Sequence, residues 1–172
     1  DTNQRFLPQV LSESGYQTAW IGKWHLGSLP HGFDYWNVMP VQGHYFNPDF
    51  INQKNDTVLF HGYVSDVITQ LTKSYLDKRD TNKPFFLVVG EKATHREWLP
   101  DLRDLGAYDA LKFPLPGTFY DDFKGRSAAA KQLMGIGEVM TLKTDLKIKQ
   151  PFGEKSSQNN RTQQKAVKGK EI

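Results

Sequence analysis

The sequence predicts an α/β domain in which helices feed the strands of a layered sheet, and three observations carry that expectation. A helix-like segment stops at a glycine and runs straight into an apolar, strand-like one. The same order recurs further along, where an amphipathic segment leads into a continuous apolar run. Finally, 172 residues with 38% hydrophobic and 13% aromatic content suffice for one domain with a substantial core.

In chain order, residues 5–14 ("RFLPQVLSES") carry Phe6, Val10 and Leu11 at helical spacing, and Gly15 suits the stop. Residues 15–27 ("GYQTAWIGKWHLG") then read as a strand closed by glycine. Residues 28–63 are rich in Pro, Gly, Asn and aromatics, which predicts a structured loop region with short strands, "NDTVLF" among them. Residues 64–78 predict an amphipathic helix with Val64, Val67, Ile68, Leu71, Tyr75 and Leu76 on one face and Ser65 or Asp66 in its first turn. "TNKP" breaks the chain, and "FFLVVG" (85–90) follows. Its length and Phe/Val content predict a strand buried on both faces, as in a parallel sheet. "SAAAKQLMGIGEVM" (127–140) begins a helix that its two glycines weaken.

Composition excludes several classes of function. No window approaches the run of about 20 apolar residues that a membrane helix needs, so no membrane insertion is expected. Without cysteine, the chain has no disulfide, no thiolate metal site and no cysteine nucleophile of its own. The net charge of +3 is unevenly placed: residues 143–172 hold eight Lys/Arg against three Asp/Glu, whereas residues 1–142 hold fourteen against sixteen. A nucleic-acid surface would interleave aromatics with such cations, and this tail offers only Phe152. It therefore reads as a solvated basic segment, and no nucleic-acid partner is expected.

Ligands of open α/β sheets bind beyond the carboxyl ends of the strands. Lys23 and His25 sit just past the first buried strand, and period-two alternation puts both on one face with Trp24 on the other. A cation beside an imidazole, bracketed by Gly22 and Gly27, suits an oxyanion. An ordinary edge strand whose Lys and His face water is the other reading. "EKATHREW" (91–98) follows the second strand and directs Lys92 and His95 toward the same edge.

At these two motifs the sequence resembles a known family. "GYQTAWIGKWHLG" is similar to the second signature of the sulfatases, and "KPFFLVVGEKATHREWLP" resembles their later segment in which an apolar strand ends in a Lys-Ala-Pro-His-like loop. "GFDYWNVMPVQGHYFNPDF" and "HGYVSDVITQLTKSYL" lie between them and resemble the branch acting on sulfated glycans such as N-acetylglucosamine-6-sulfate. The likeness runs in order from about residue 6 to residue 126, where "FPLPGTFYDD" leads to "GR".

The resemblance implies an alkaline-phosphatase-like α/β fold, a mainly parallel sheet flanked by helices and incomplete in this chain. It also implies sulfate-ester hydrolysis with a bound calcium ion, a sulfated glycan as partner, and a periplasmic, extracellular or lysosomal location. Lys23 and His25 resemble the family pair beside nucleophile and sulfate. His95 resembles the histidine that contacts the sulfate ester and assists the leaving oxygen. Lys92 contacts sugar or solvent as a substrate-binding candidate, and Arg96, Glu97 and Trp98 fall on the sugar side.

The departures are equally informative. The family's formylglycine precursor, Cys or Ser in Cys/Ser-x-Pro/Ala-x-Arg, has no counterpart: Ser12, Ser14, Ser28 and Ser65 lack the Pro and Arg that should follow. The calcium-binding acidic pairs are also missing, since Asp121-Asp122 comes too late in the family order and reads as a solvated acidic turn. Thr94 stands where proline is usual, and Gly90-Glu91 where histidines or aromatics are common. The expectation is an internal fragment of a sulfatase, inactive alone, with residues 1–142 as part of the catalytic domain and residues 143–172 as a polar basic segment. A non-catalytic sulfoglycan-binding protein and a metal-dependent phosphatase or phosphodiesterase of the same fold are the alternatives.

Overall fold

The computed structural model describes residues 4–132 and 139–147. The chain divides into two compact units, Asp1–Pro114 and Leu115–Ile172. The boundary expected after residue 142 falls within the second.

In the first unit, helix α1 (Leu7–Glu13) leads into β1 (Gln17–Lys23), followed by β2 (Tyr35–Met39), β3 (Asp49–Asn52), β4 (Thr57–Leu59), α2 (Val64–Lys78) and β5 (Phe85–Gly90). The five strands form one sheet in the order β4-β3-β2-β1-β5. β1 runs parallel to both β2 and β5, while β2–β3 and β3–β4 are antiparallel. The sheet is thus mixed: three parallel strands, ending in β5 at one edge, carry the antiparallel hairpin β3–β4 on the other side.

Local chemistry explains the elements. Pro8 opens α1, where a missing N–H costs nothing, and Gly15 ends it at φ +87°, a backbone state that glycine adopts without strain. In α2, Val64, Val67 and Ile68 are buried, with Leu71 and Tyr75 packed beside them, as the amphipathic spacing predicts. This stripe meets Ile21, Met39, Tyr45 and Phe50 to form the core on one sheet face. Three such buried aliphatic side chains each contribute roughly 1.5–3 kcal/mol. On the other face Leu7 and Pro8 of α1 share a cavity wall with Trp20, Phe86 and Val88. Helices therefore flank both faces, and β1, enclosed between β2 and β5, is buried on both.

Two expectations need correction. β5 was expected to be buried on both faces, yet it forms the sheet edge, with Phe85 43% and Val89 41% exposed. Among the described residues, its apolar sequence has a strand partner on one side only. Alternation was also expected to carry His25 onto the face of Lys23. Instead the strand ends at Lys23, and His25 takes φ +62°, which breaks the period of two.

The second unit is built mostly of turns, with a short helix α3 (Ser127–Ala130). Asp121 pairs with Arg126 and accepts from the Phe123 amide at 2.8 Å, while Asp122 accepts from the Lys124 amide at 2.8 Å. The acidic pair is a turn, as expected. Much of the helix expected over 127–140, and most of the basic segment, lie outside the described residues.

Gly22 and Gly90 are register partners at the carboxyl ends of β1 and β5. A Cβ on Gly22 would collide with the Gly90 carbonyl, one on Gly90 with the Lys23 carbonyl, and Gly22 has φ +104°. Gly22→Ala should therefore destabilise the fold by about 3 kcal/mol or more, read from urea midpoints. Gly27→Ala, with open space around its Cβ, should stay within about 0.5 kcal/mol. Equal midpoints for the two variants would contradict the close approach.

Candidate active site

The three parallel strands β2, β1 and β5 end at one edge of the sheet, and their following loops supply the candidate side chains. Lys23 is the last residue of β1. Its ammonium donates to Gln42 Oε1 at 2.5 Å, on the loop after β2. Lys92, two residues past β5, is buried, at 5% exposure. Its ammonium donates to the backbone carbonyl of the same Gln42 at 3.1 Å and lies 4.6 Å from the centroid of the Tyr45 ring. Two cations from different strands therefore converge on one residue.

That convergence has an electrostatic consequence. Burial, and then the charge of Lys92, hold the Lys23 pKa below the ordinary lysine value. Both effects disfavour the protonated form, and the attraction of an anion beside the pair would offset them.

His95 belongs to the same loop as Lys92. Its amide donates to the Lys92 carbonyl at 2.9 Å, and its own carbonyl accepts from the Tyr45 hydroxyl at 2.6 Å. Its Nδ1 lies 3.1 Å from the Arg96 carbonyl, an acceptor, so the Nδ1–H form donates there. Arg96, Glu97 and Trp98 continue this loop on its exposed side, Glu97 and Trp98 at φ +74° and +41°. His25 is exposed and joins the group less directly. It lines, with Gln42, Met39 and Leu29, a neighbouring cavity of about 350 Å³. Trp24 turns back onto Trp20 at 4.8 Å between ring centroids.

Lys23, Lys92 and His95 are thus linked through Gln42 and Tyr45. Neither linking residue was singled out from the sequence. Both lie in "MPVQGHYFN", immediately past β2, so recognising Tyr35–Met39 as a parallel strand would have placed them at this edge. The Pro-, Gly- and Asn-rich surroundings hid that strand inside a presumed loop region. Among the described residues, no three His, Asp or Glu side chains come together to hold a metal ion.

The profile described as Sulfatase matches residues 1–133. The chain belongs to the sulfatase family. Over 150 residues it is 42% identical to an N-acetylglucosamine-6-O-sulfatase of Bacteroides thetaiotaomicron, a match covering 85% of this chain and 27% of that protein. The human N-acetylglucosamine-6-sulfatase is 29% identical over 109 residues, covering 54% of this chain and 19% of its own length. A solved structure described as a complex with its substrate, D-glucosamine-2-N,6-O-disulfate, superposes with a TM-score of 0.74 at 42% identity. That match covers 84% of this chain and 30% of the other. The mixed sheet with its flanking helices is the alkaline-phosphatase-like fold of the sulfatases. This chain spans less than a third of the length of each of these relatives.

The lysine pair makes a titration prediction. Lys92→Met removes the second cause of the Lys23 shift and leaves burial in place, so the Lys23 pKa should rise toward, without reaching, the ordinary value. Heteronuclear NMR of the lysine side chain reads this directly. In the unaltered chain the unfolded state holds the Lys23 proton more tightly than the folded state. Its contribution to stability should therefore improve as pH rises from the folded pKa to the ordinary lysine value. An unmoved Lys23 titration in Lys92→Met would show that the two ammonium groups are not coupled.

Proposed function

We propose that this chain is part of a sulfuric ester hydrolase that removes sulfate from sulfated glycans, with a 6-O-sulfated amino sugar as substrate. The observation that carries the proposal is the convergence of the Lys23 and Lys92 ammonium groups on Gln42 at the carboxyl edge of the parallel strands. The 42% identity to an N-acetylglucosamine-6-O-sulfatase supports the choice of sugar.

Sulfuryl transfer spreads negative charge over the equatorial sulfate oxygens, and fixed cations in a water-poor cleft stabilise that charge. Lys23, half-buried and already coupled to a second cation, binds those oxygens in this reading. His25 stands beside the sulfate. As the S–O bond to the sugar breaks, the departing oxygen needs a proton. The His95 imidazolium supplies it from Nε2 while Nδ1–H stays donated to the Arg96 carbonyl. Lys92, Arg96, Glu97 and Trp98 contact the sugar side.

The nucleophile is not assigned to this chain, which contains no cysteine. In the family it is a formylglycine. Calcium is the metal the family implies; among the described residues no three His, Asp or Glu side chains gather to hold it, and no step here is routed through it. No helix among the described residues is long and apolar enough to cross a membrane. A sulfated glycan as substrate accords with a periplasmic, extracellular or lysosomal setting.

In a full-length sulfatase carrying this segment, His95→Ala should lower kcat/KM for sugar sulfates by about a hundred- to ten-thousand-fold, and for nitrophenyl sulfate far less. A sugar alkoxide leaves poorly without a proton, whereas nitrophenolate needs none. Lys23→Ala should impair both substrates alike, because both transition states carry the same sulfuryl charge. Equal losses on both substrates for His95→Ala would remove the proton-donor role.

The isolated chain should release no sulfate from glucosamine-6-sulfate, with or without added calcium. Release proportional to chain concentration would overturn the placement of nucleophile and metal ligands elsewhere.

A further inference from the structure

We propose that Tyr45, with Tyr63 stacked behind it, is a positioning pair that fixes the loop carrying Lys92 and His95. The inference deepens the sulfatase reading and rests on it for the role of His95.

The loop after β5 is exposed over residues 93–98, and the hydrogen bonds of His95 within it are short-range, to Lys92, to Arg96 and from the Trp98 amide, which donates to the His95 carbonyl at 3.1 Å. Two hydroxyls from other segments hold it, one in its middle and one just past the exposed stretch. Tyr45 donates to the His95 carbonyl at 2.6 Å, and Tyr63 donates to the Leu99 carbonyl at 2.9 Å. Their rings stack at 6.1 Å with an interplanar angle of 24°, and Phe46 packs against Tyr63 at 5.4 Å. Tyr45 is 3% exposed and belongs to the core, so one end of this connection is as fixed as Ile21 or Phe50. Tyr63 occupies the position just before α2 and is tied to the same body.

The Tyr45 ring acts a second time. Its face carries the Lys92 ammonium at 4.6 Å, while its hydroxyl holds His95. One rigid aromatic thus sets the position of a cation and of the proposed proton donor together. Both tyrosines must stay protonated to donate. Burial raises both pKa values above the ordinary tyrosine value, followed by the Tyr63 phenol and Glu97 for Tyr45 and by Asp101, Asp104, Glu91 and Asp66 for Tyr63. The two donors therefore persist through neutral and mildly alkaline pH.

The test separates the hydroxyl from the ring. Tyr45→Phe keeps the stack and the cation–π face and loses only the hydrogen bond. In this chain, amide exchange at His95 and Trp98 should speed up about fivefold or more in Tyr45→Phe, the size of one net hydrogen bond. Exchange in β1 and α2 should be unchanged. In a full-length sulfatase carrying the segment, Tyr45→Phe should lower kcat for sugar sulfates more than for nitrophenyl sulfate, with KM little altered.

Unchanged exchange in Tyr45→Phe overturns the anchoring. Faster exchange with equal kcat losses on both substrates overturns the positioning of His95 and leaves a structural contact. Absence of sulfatase activity in the unaltered enzyme would sink the functional reading, while exchange would still decide the anchoring.

Discussion

The site depends on how closely β1 and β5 approach at their carboxyl ends. Gly22 and Gly90 face each other there, with no room for a Cβ on either. That contact lets two parallel strands deliver Lys23 and the Lys92 loop side by side. Side chains at these two positions would push the strand ends apart, and two lysines from separated segments would no longer meet at one residue. The glycines of "WIGKW" and "VVGEK" therefore belong to the chemistry as much as to the fold.

What this arrangement creates is an unbalanced charge. A second ammonium beside a half-buried one is unfavourable, and the amide and carbonyl of Gln42 are neutral acceptors that offset it only partly. The Tyr45 face supplies a further weak counterweight. Among the ion pairs that the described residues show, carboxylates answer Arg5, Arg103 and Arg126, and none of these pairs includes Lys23 or Lys92. A site that gathers cations around neutral acceptors suits a ligand that brings its own negative charge. A sulfate ester does so, and it gains charge on its equatorial oxygens as the ester bond breaks.

Much of this was legible in the sequence, for identifiable reasons. α2 and β5 have the predicted bounds because amphipathic spacing and an uninterrupted Phe/Val run are strong local signals. Gly15 marked the end of α1 because only its φ is permissive there. β2 was hidden: a five-residue strand between Pro-, Gly- and Asn-rich turns has too little periodicity to stand out. With it went Gln42 and Tyr45, whose roles arise from pairing across the sheet. The edge position of β5 was equally illegible, since an apolar run states its preference for burial and not how many neighbours it finds. His25 shows the limit of alternation, which holds only while the backbone stays extended, and here a positive φ intervenes two residues past the strand.

The most direct measurement is a crystal structure of a full-length sulfatase carrying this segment, bound to a 6-sulfated glucosamine. The account predicts sulfate oxygens within hydrogen-bonding distance of Lys23 Nζ and the ester oxygen within reach of His95 Nε2, at the edge where β1 and β5 end. A sulfate bound away from that edge, with Lys23 still on Gln42 and His95 turned from the sugar, would contradict it.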